Sequence, residues 1–132
     1  MQLVVLGLNH RSAAVEVRER FSFEKNEVES ALNRLYEYEK ISECVILSTC
    51  NRTEIYAVLE DVQSPKAYML DVLKHLKHAD TIDESAFFFY EEKACIEHLF
   101  RVSASLDSLV LGEGQILSQL KGAYIAAYSA GF

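Results

Sequence analysis

Two short apolar runs, residues 44–48 and 54–59, flank the polar stretch Ser48-Thr49-Cys50-Asn51-Arg52-Thr53-Glu54. Each run reads as a β-strand, so this part of the chain is predicted to run strand, loop, strand. The remaining elements fit around that unit. Residues 2–8 form a compact apolar strand. Ser22 is a good helix N-cap with Glu24 favourable in the first turn, and Val28, Ala31, Leu32 and Leu35 follow at helical spacing. That spacing predicts a helix over 22–38. The next helix starts with Ser64 as cap and Pro65 at the first helical position, where a missing N–H costs nothing. Leu70, Leu73 and Leu76 form its stripe. Phe87-Phe88-Phe89-Tyr90 is a short strand, and residues 92–104 are a helix with Cys95, Leu99 and Val102 on one face. A final helix over 114–130 carries Ile116, Leu120, Ala123, Tyr124 and Ala127 in one stripe. The first six elements make a βαββαβ pattern. The predicted fold is therefore α+β, a ferredoxin-like antiparallel sheet with additional C-terminal helices.

At 132 residues the chain is one domain by length, large enough to bury a real core. No apolar run approaches the ~20 residues that span a bilayer, so no membrane segment is expected. The first residues form a short apolar run without a basic leader, and no signal peptide is expected. Three cysteines, an odd number, then point to reduced thiols and a cytoplasmic protein. Their spacing matches no zinc template, and no metal site is expected. A net charge of −7 argues against broad nonspecific nucleic-acid binding. It leaves room for a local basic patch, and Arg11, Arg18 and Arg20 cluster near the start. The chain ends just past an amphipathic helix, which reads as a cut at a domain boundary.

A structural cysteine normally has apolar neighbours. Cys44 lies inside a strand and Cys95 on the core face of a helix, and both are expected to pack only. Cys50 instead has hydroxyl, amide and guanidinium neighbours, with Arg52 two residues on. A cation beside a thiol favours the thiolate, which is the nucleophile. A turn after a strand exposes such a group on a rigid support. On chemistry alone a blander reading stands beside this one: Ser48, Thr49 and Asn51 as turn formers, and Arg52 with Glu54 as a solvated pair. His98 lies about 60° off the middle of its helix's apolar stripe, given the ~100° rotation per residue. That places it at the core's edge, either a satisfied boundary histidine or one whose second nitrogen reaches a cleft. His75 and His78 are expected to be solvated near the negative end of their helix.

Three segments together resemble the N-terminal catalytic domain of the glutamyl-tRNA reductase family, which opens the five-carbon route to tetrapyrroles. They are Gly7-Leu8-Asn9-His10-Arg11-Ser12-Ala13, then Ser48-Thr49-Cys50-Asn51-Arg52-Thr53-Glu54-Ile55-Tyr56. The third is Ser105-Leu106-Asp107-Ser108-Leu109-Val110-Leu111-Gly112-Glu113-Gly114-Gln115-Ile116-Leu117. The resemblance implies that Cys50 is the nucleophile and that Thr49, Asn51 and Arg52 hold the glutamyl group. It assigns a role in activity to His98 of His98-Leu99-Phe100-Arg101-Val102, as acid/base or carbonyl polariser. Ser108, Glu113, Gly114, Gln115 and Gln119 match further substrate-binding positions. Many members have glycine where this chain has Ser105, and proline where it has Gly114. Serine restricts the backbone before Ser108, and glycine loosens a helix start that proline would fix.

The implied reaction starts from glutamate esterified to the 3′ end of its tRNA. A thiolate converts the ester to a thioester, which is a better hydride acceptor, and so splits the reaction into two easier steps. Hydride from NADPH then releases glutamate-1-semialdehyde. Residues 1–132 would be a single catalytic domain, with the NADPH-binding and dimerisation domains of the family absent from it. A homodimer, and as a further partner the aminomutase that follows in the pathway, are implied for the longer protein. Two rival readings remain: a different Cys50–His98 acyltransferase or hydrolase, and a non-catalytic ferredoxin-like interaction domain.

Overall fold

The strand, turn and strand around Cys50 form β2 (Ile41–Ser48) and β3 (Arg52–Leu59), paired antiparallel, in the computed structural model, which describes residues 1–105. β1 (Gln2–Asn9) lies along the other side of β3, with Gln2 opposite Leu59 and Asn9 opposite Arg52. β4 (Phe88–Glu91) closes the far edge against β1, with Gly7 opposite Phe88. The strand order is β2-β3-β1-β4, and every neighbouring pair is antiparallel. The architecture is α+β, as expected.

The segment between β1 and β2 departs from expectation. It holds two helices, α1 (Val15–Phe21) and α2 (Lys25–Leu35), where one was predicted over 22–38. Ser22 ends α1 instead of starting a helix, and its hydroxyl donates to the Glu19 carbonyl at 3.1 Å. Glu24 caps α2 through a reciprocal pair with Glu27. The reason lies in the two phenylalanines. Phe21 and Phe23 are both buried, and residues two apart on a helix point about 200° apart. An extended Ser22 lets both rings enter the same core.

α3 (Pro65–Leu76) starts at Pro65 as expected, although the Ser64 side chain makes no capping hydrogen bond. Its end is tied to α2 by Arg34, which donates to the carbonyls of His75 and Leu76. His75 and His78 are exposed, as expected. β4 starts one residue later than predicted because Phe87 turns into the core, where its ring meets Phe21 edge-on at 5.2 Å. α4 (Glu92–Ser105) follows directly, with Glu92 in the left-handed region (φ 51°) at the junction.

The sheet thus has two covered faces. Val4, Leu6, Leu8, Ile46, Ile55 and Leu59 pack under α2 and α3. Leu3, Val5, Val45, Tyr56 and Val58 pack with Cys95 and Leu99 of α4. Cys44 and Cys95 are buried thiols outside any disulfide, one on each side. Among the described residues no helix is long and apolar enough to cross a membrane. The final predicted helix, with Ser108, Glu113, Gly114, Gln115 and Gln119, lies outside the described residues.

Candidate functional site

Period-two alternation puts Arg52, Glu54 and Tyr56 of β3 on one face of the sheet, the face that α4 covers. Glu54 lies at the centre of the polar cluster there. It is fully buried, which an isolated carboxylate does not tolerate, and three donors converge on it. Arg52 Nη1 donates to Oε2 at 2.7 Å. The Tyr56 hydroxyl donates to Oε1, and His98 Nε2 lies 3.1 Å from that same oxygen. The Arg52–Glu54 pair, solvated on the blander reading, is therefore a buried one, with the Arg52 side chain itself only 18% exposed.

Burial alone would raise the Glu54 pKa. The hydrogen bond and charge of His98, then the bonds from Tyr56 and Arg52, outweigh it and hold Glu54 below the ordinary carboxylate value. Burial, and then the Glu54 charge, push the Tyr56 hydroxyl well up, so it stays a donor. Burial and the charges of Glu54 and Glu92 push the Cys95 thiol up to about 12, in keeping with a packing role. An ionised carboxylate only accepts, so Nε2 of His98 carries the proton between them.

The backbone makes room for this arrangement at Gly7. A Cβ there would stand 2.7 Å from Phe88 Cζ, 2.8 Å from the Thr53 carbonyl and 2.9 Å from Glu54 Cγ. Only glycine lets β1 pass this close beneath the buried carboxyl. His98 is held from the other side by the rings of Phe88 and Tyr90, with centroids at 4.9 and 5.0 Å. It is 8% exposed, so it is a core-edge histidine as expected.

Arg52 and His98 face an open cleft of about 580 Å³. Its other walls are the loop from Asn9 to Ser12, Phe88 and Tyr90 of β4, and Arg101 and Val102 of α4. The loop is stitched to itself: the Asn9 side-chain oxygen accepts the N–H groups of Arg11 and Ser12, and the Ser12 hydroxyl accepts that of Asn9. Cys50 is exposed, at the tip of the β2–β3 turn. Thr49 closes that turn, its hydroxyl accepting the N–H groups of Asn51 and Arg52 and its own N–H donating to the Arg52 carbonyl. Thr49 is thus a turn former whatever else it does. Because Asn9 pairs with Arg52, the cysteine turn and the Asn9–Ser12 loop stand at the same end of the sheet. The geometry gathers Arg52 and His98 on one carboxylate. Cys50 sits at that sheet end, though not in the cleft wall.

Glu54, Tyr56, Gly7 and Tyr90 were not singled out from sequence as site residues. The usable signal was the spacing of Arg52, Glu54 and Tyr56, a charged and hydroxyl stripe on one face of an otherwise apolar strand.

Comparison with known proteins identifies the family. The family model described as glutamyl-tRNAGlu reductase, N-terminal domain, matches residues 6–132. Glutamyl-tRNA reductase of Synechococcus sp. (strain RCC307) is 48% identical over 125 residues, covering 94% of this chain and 28% of the relative. That of Bacillus subtilis (strain 168) is 42% identical over 128 residues, covering 96% of this chain and 28% of the relative. The solved glutamyl-tRNA reductase from Methanopyrus kandleri superposes with a TM-score of 0.53 at 32% identity, covering 98% of this chain and 29% of that one. The chain thus spans well under a third of the length of these relatives. It belongs to the glutamyl-tRNA reductase family, as an N-terminal domain of that family.

Proposed function

We propose that this chain is the catalytic domain of an NADPH-dependent reductase that converts glutamyl-tRNA to glutamate-1-semialdehyde through a thioester on Cys50. One observation carries the reading: an exposed cysteine on a stitched turn stands at the sheet end where Arg52 and His98 share a buried carboxylate. The Cys50 sulfur attacks the ester carbonyl, an S–C bond forms and the bond to the ribose oxygen breaks. The thiol proton ends on that oxygen. His98 is the carrier we assign, since Nε2 is occupied by Glu54 and Nδ1 makes no hydrogen bond among the described residues. Arg52 has one nitrogen on Glu54, and the rest of its fork takes the side-chain carboxylate of the glutamyl group. Thr49 and Asn51 shape the turn around the thiol, and Ser108, Glu113, Gly114, Gln115 and Gln119 complete the glutamyl pocket by resemblance.

The hydride that releases the aldehyde would come from NADPH held outside the described residues. A dinucleotide needs a glycine-rich turn between strand and helix, and Gly7, inside β1, is the one glycine in residues 1–105. The described residues do not fit that cofactor, and we place it in a domain outside this chain, along with the contacts of a homodimer and of the aminomutase. Calorimetric titration with NADPH is expected to show no micromolar binding. We also read the sheet as ferredoxin-like, a reading supported by the β2-β3-β1-β4 order and the antiparallel pairing. The family match, rather than the geometry of His98, disfavours a Cys50–His98 acyltransferase or hydrolase and a non-catalytic interaction domain.

The test is intact-protein mass spectrometry after brief exposure to glutamyl-tRNA and acid quench. One added glutamyl unit is expected on the native chain and none on Cys50→Ala. An adduct that survives Cys50→Ala, or none on a native thiol that still alkylates, would sink the reading.

A further inference from the structure

We propose that Tyr56 is a positioning residue for acyl transfer: its hydroxyl fixes the Glu54 oxygen on which His98 rests, and so aims the imidazole that carries the proton. The role of His98 in this inference rests on the acyl-transfer reading above. The first support is the division of the Glu54 carboxylate between its partners. Oε2 takes Arg52, whereas Oε1 takes both the Tyr56 hydroxyl and Nε2 of His98. An oxygen that accepts two donors is held from two directions, which narrows where each donor can stand. The Tyr56 hydroxyl therefore acts on the His98 side of the carboxylate. The arginine assigned to the glutamyl carboxylate is on the other oxygen.

The rigidity of the support is the second argument. Tyr56 is 1% exposed and belongs to the cluster of Leu3, Val5, Val45, Cys95 and Leu99. β3 is paired on both sides, so Tyr56 stands between Val5 of β1 and Val45 of β2. Cys95 and Leu99 come from α4, the helix that carries His98. The cluster thus joins the strand that bears Glu54 to the helix that bears the imidazole. A phenylalanine would fill such an apolar place at lower cost, since a buried hydroxyl must find a partner. Here the partner is the carboxylate. Burial and the Glu54 charge keep the phenol protonated, so it remains a donor. Phe88 and Tyr90 restrain the tilt of the imidazole, with centroids at 4.9 and 5.0 Å, and Oε1 sets the reach of Nε2.

Tyr56→Phe removes the hydroxyl and keeps the ring, so the core stays filled. In single-turnover acylation of Cys50 by glutamyl-tRNA, the saturating rate is expected to fall about tenfold, the equivalent of one hydrogen bond. The half-saturating concentration should stay at the native value, because the substrate grip is on Oε2. In a His98→Gln background the same change should cost nothing further. Rates are taken per folded molecule, so a loss of stability alone moves none of these values. A native saturating rate, a raised half-saturating concentration, or a full further loss in the double variant overturns the proposal. The second measurement needs no reaction. The Nε2 proton of His98 is followed by NMR in chain with isotope-labelled imidazole, and assigned by its absence in His98→Gln. It is expected to shift in Tyr56→Phe, and a signal identical to that of the native chain overturns the proposal. If that signal shifts but the native chain is never acylated, Tyr56 still positions His98 and the thioester reading falls.

Discussion

The two faces of the sheet are built on opposite terms. Under α2 and α3 the contacts are mainly apolar, from Val4, Leu6 and Leu8 across Ile46 and Ile55 to Met69 and Leu73, with the paired hydroxyls of Ser48 and Thr53 buried beside them. Under α4 the apolar cluster is smaller, and beside it the chain buries a carboxylate, a phenol, an imidazole and most of a guanidinium. The first face contributes stability through area removed from water. The second gives up part of that contribution to fix charged groups at the end of the sheet where Cys50 is exposed. Burying charge is costly unless every lone pair finds a donor, and here Arg52, Tyr56 and His98 supply them. A given loss of stability should therefore carry different functional consequences on the two sides.

The sharpest break of that contrast is Glu54→Ala. It leaves Arg52, Tyr56 and His98 without their shared acceptor, and a cost of about 3–5 kcal/mol is expected in urea melts. Acylation of Cys50 should also fall about a hundredfold in the folded fraction, because both groups lose their anchor. Leu6→Ala, on the other face, should cost about 2–5 kcal/mol by leaving a cavity. The acylation rate per folded molecule should stay at the native level there, and a parallel fall would show the faces to be coupled. Gly7→Ala sits at the boundary. Its Cβ meets a backbone carbonyl at 2.8 Å as well as Phe88 and Glu54, so about 1–3 kcal/mol is expected, with loss of acylation as Glu54 shifts.

The smallest effect is the pH dependence. The folded-state pKa of Glu54 is depressed, so its contribution is fully present above the ordinary carboxylate value and lost as pH falls through the lower folded value. The groups facing it are Arg52 and Tyr56 from β3 and His98 and Cys95 from α4. The stability gap between the native chain and Glu54→Gln should close in acid. A constant gap from neutral pH downward would mean that Glu54 is not ionised in the fold.

Much of the framework was legible beforehand. Short apolar runs gave β2 and β3, the Ser64-Pro65 pair marked the start of α3, and the stripe through Cys95, Leu99 and Val102 set the face of α4. The split of α1 from α2 was not, because Ser22 and Glu24 satisfy local capping rules equally well. Only the shared core of Phe21 and Phe23 chooses between them. Cys50 was legible as a thiol in polar company, and Arg52 as its neighbour.

What the sequence determined by itself is therefore local: strand and helix periods, the exposed cysteine turn, and the motifs that mark the family. What the tertiary structure decided is which charges meet. Strand alternation alone puts Arg52 and Tyr56 beside Glu54, but His98 is 44 residues away and no local rule names it as a partner. Their contact exists because β3 lies beneath α4 and Gly7 lets β1 and β4 close around them. β3 supplies two of the donors that Glu54 needs, and only the packing of α4 on the sheet brings the third, His98, and shuts water out.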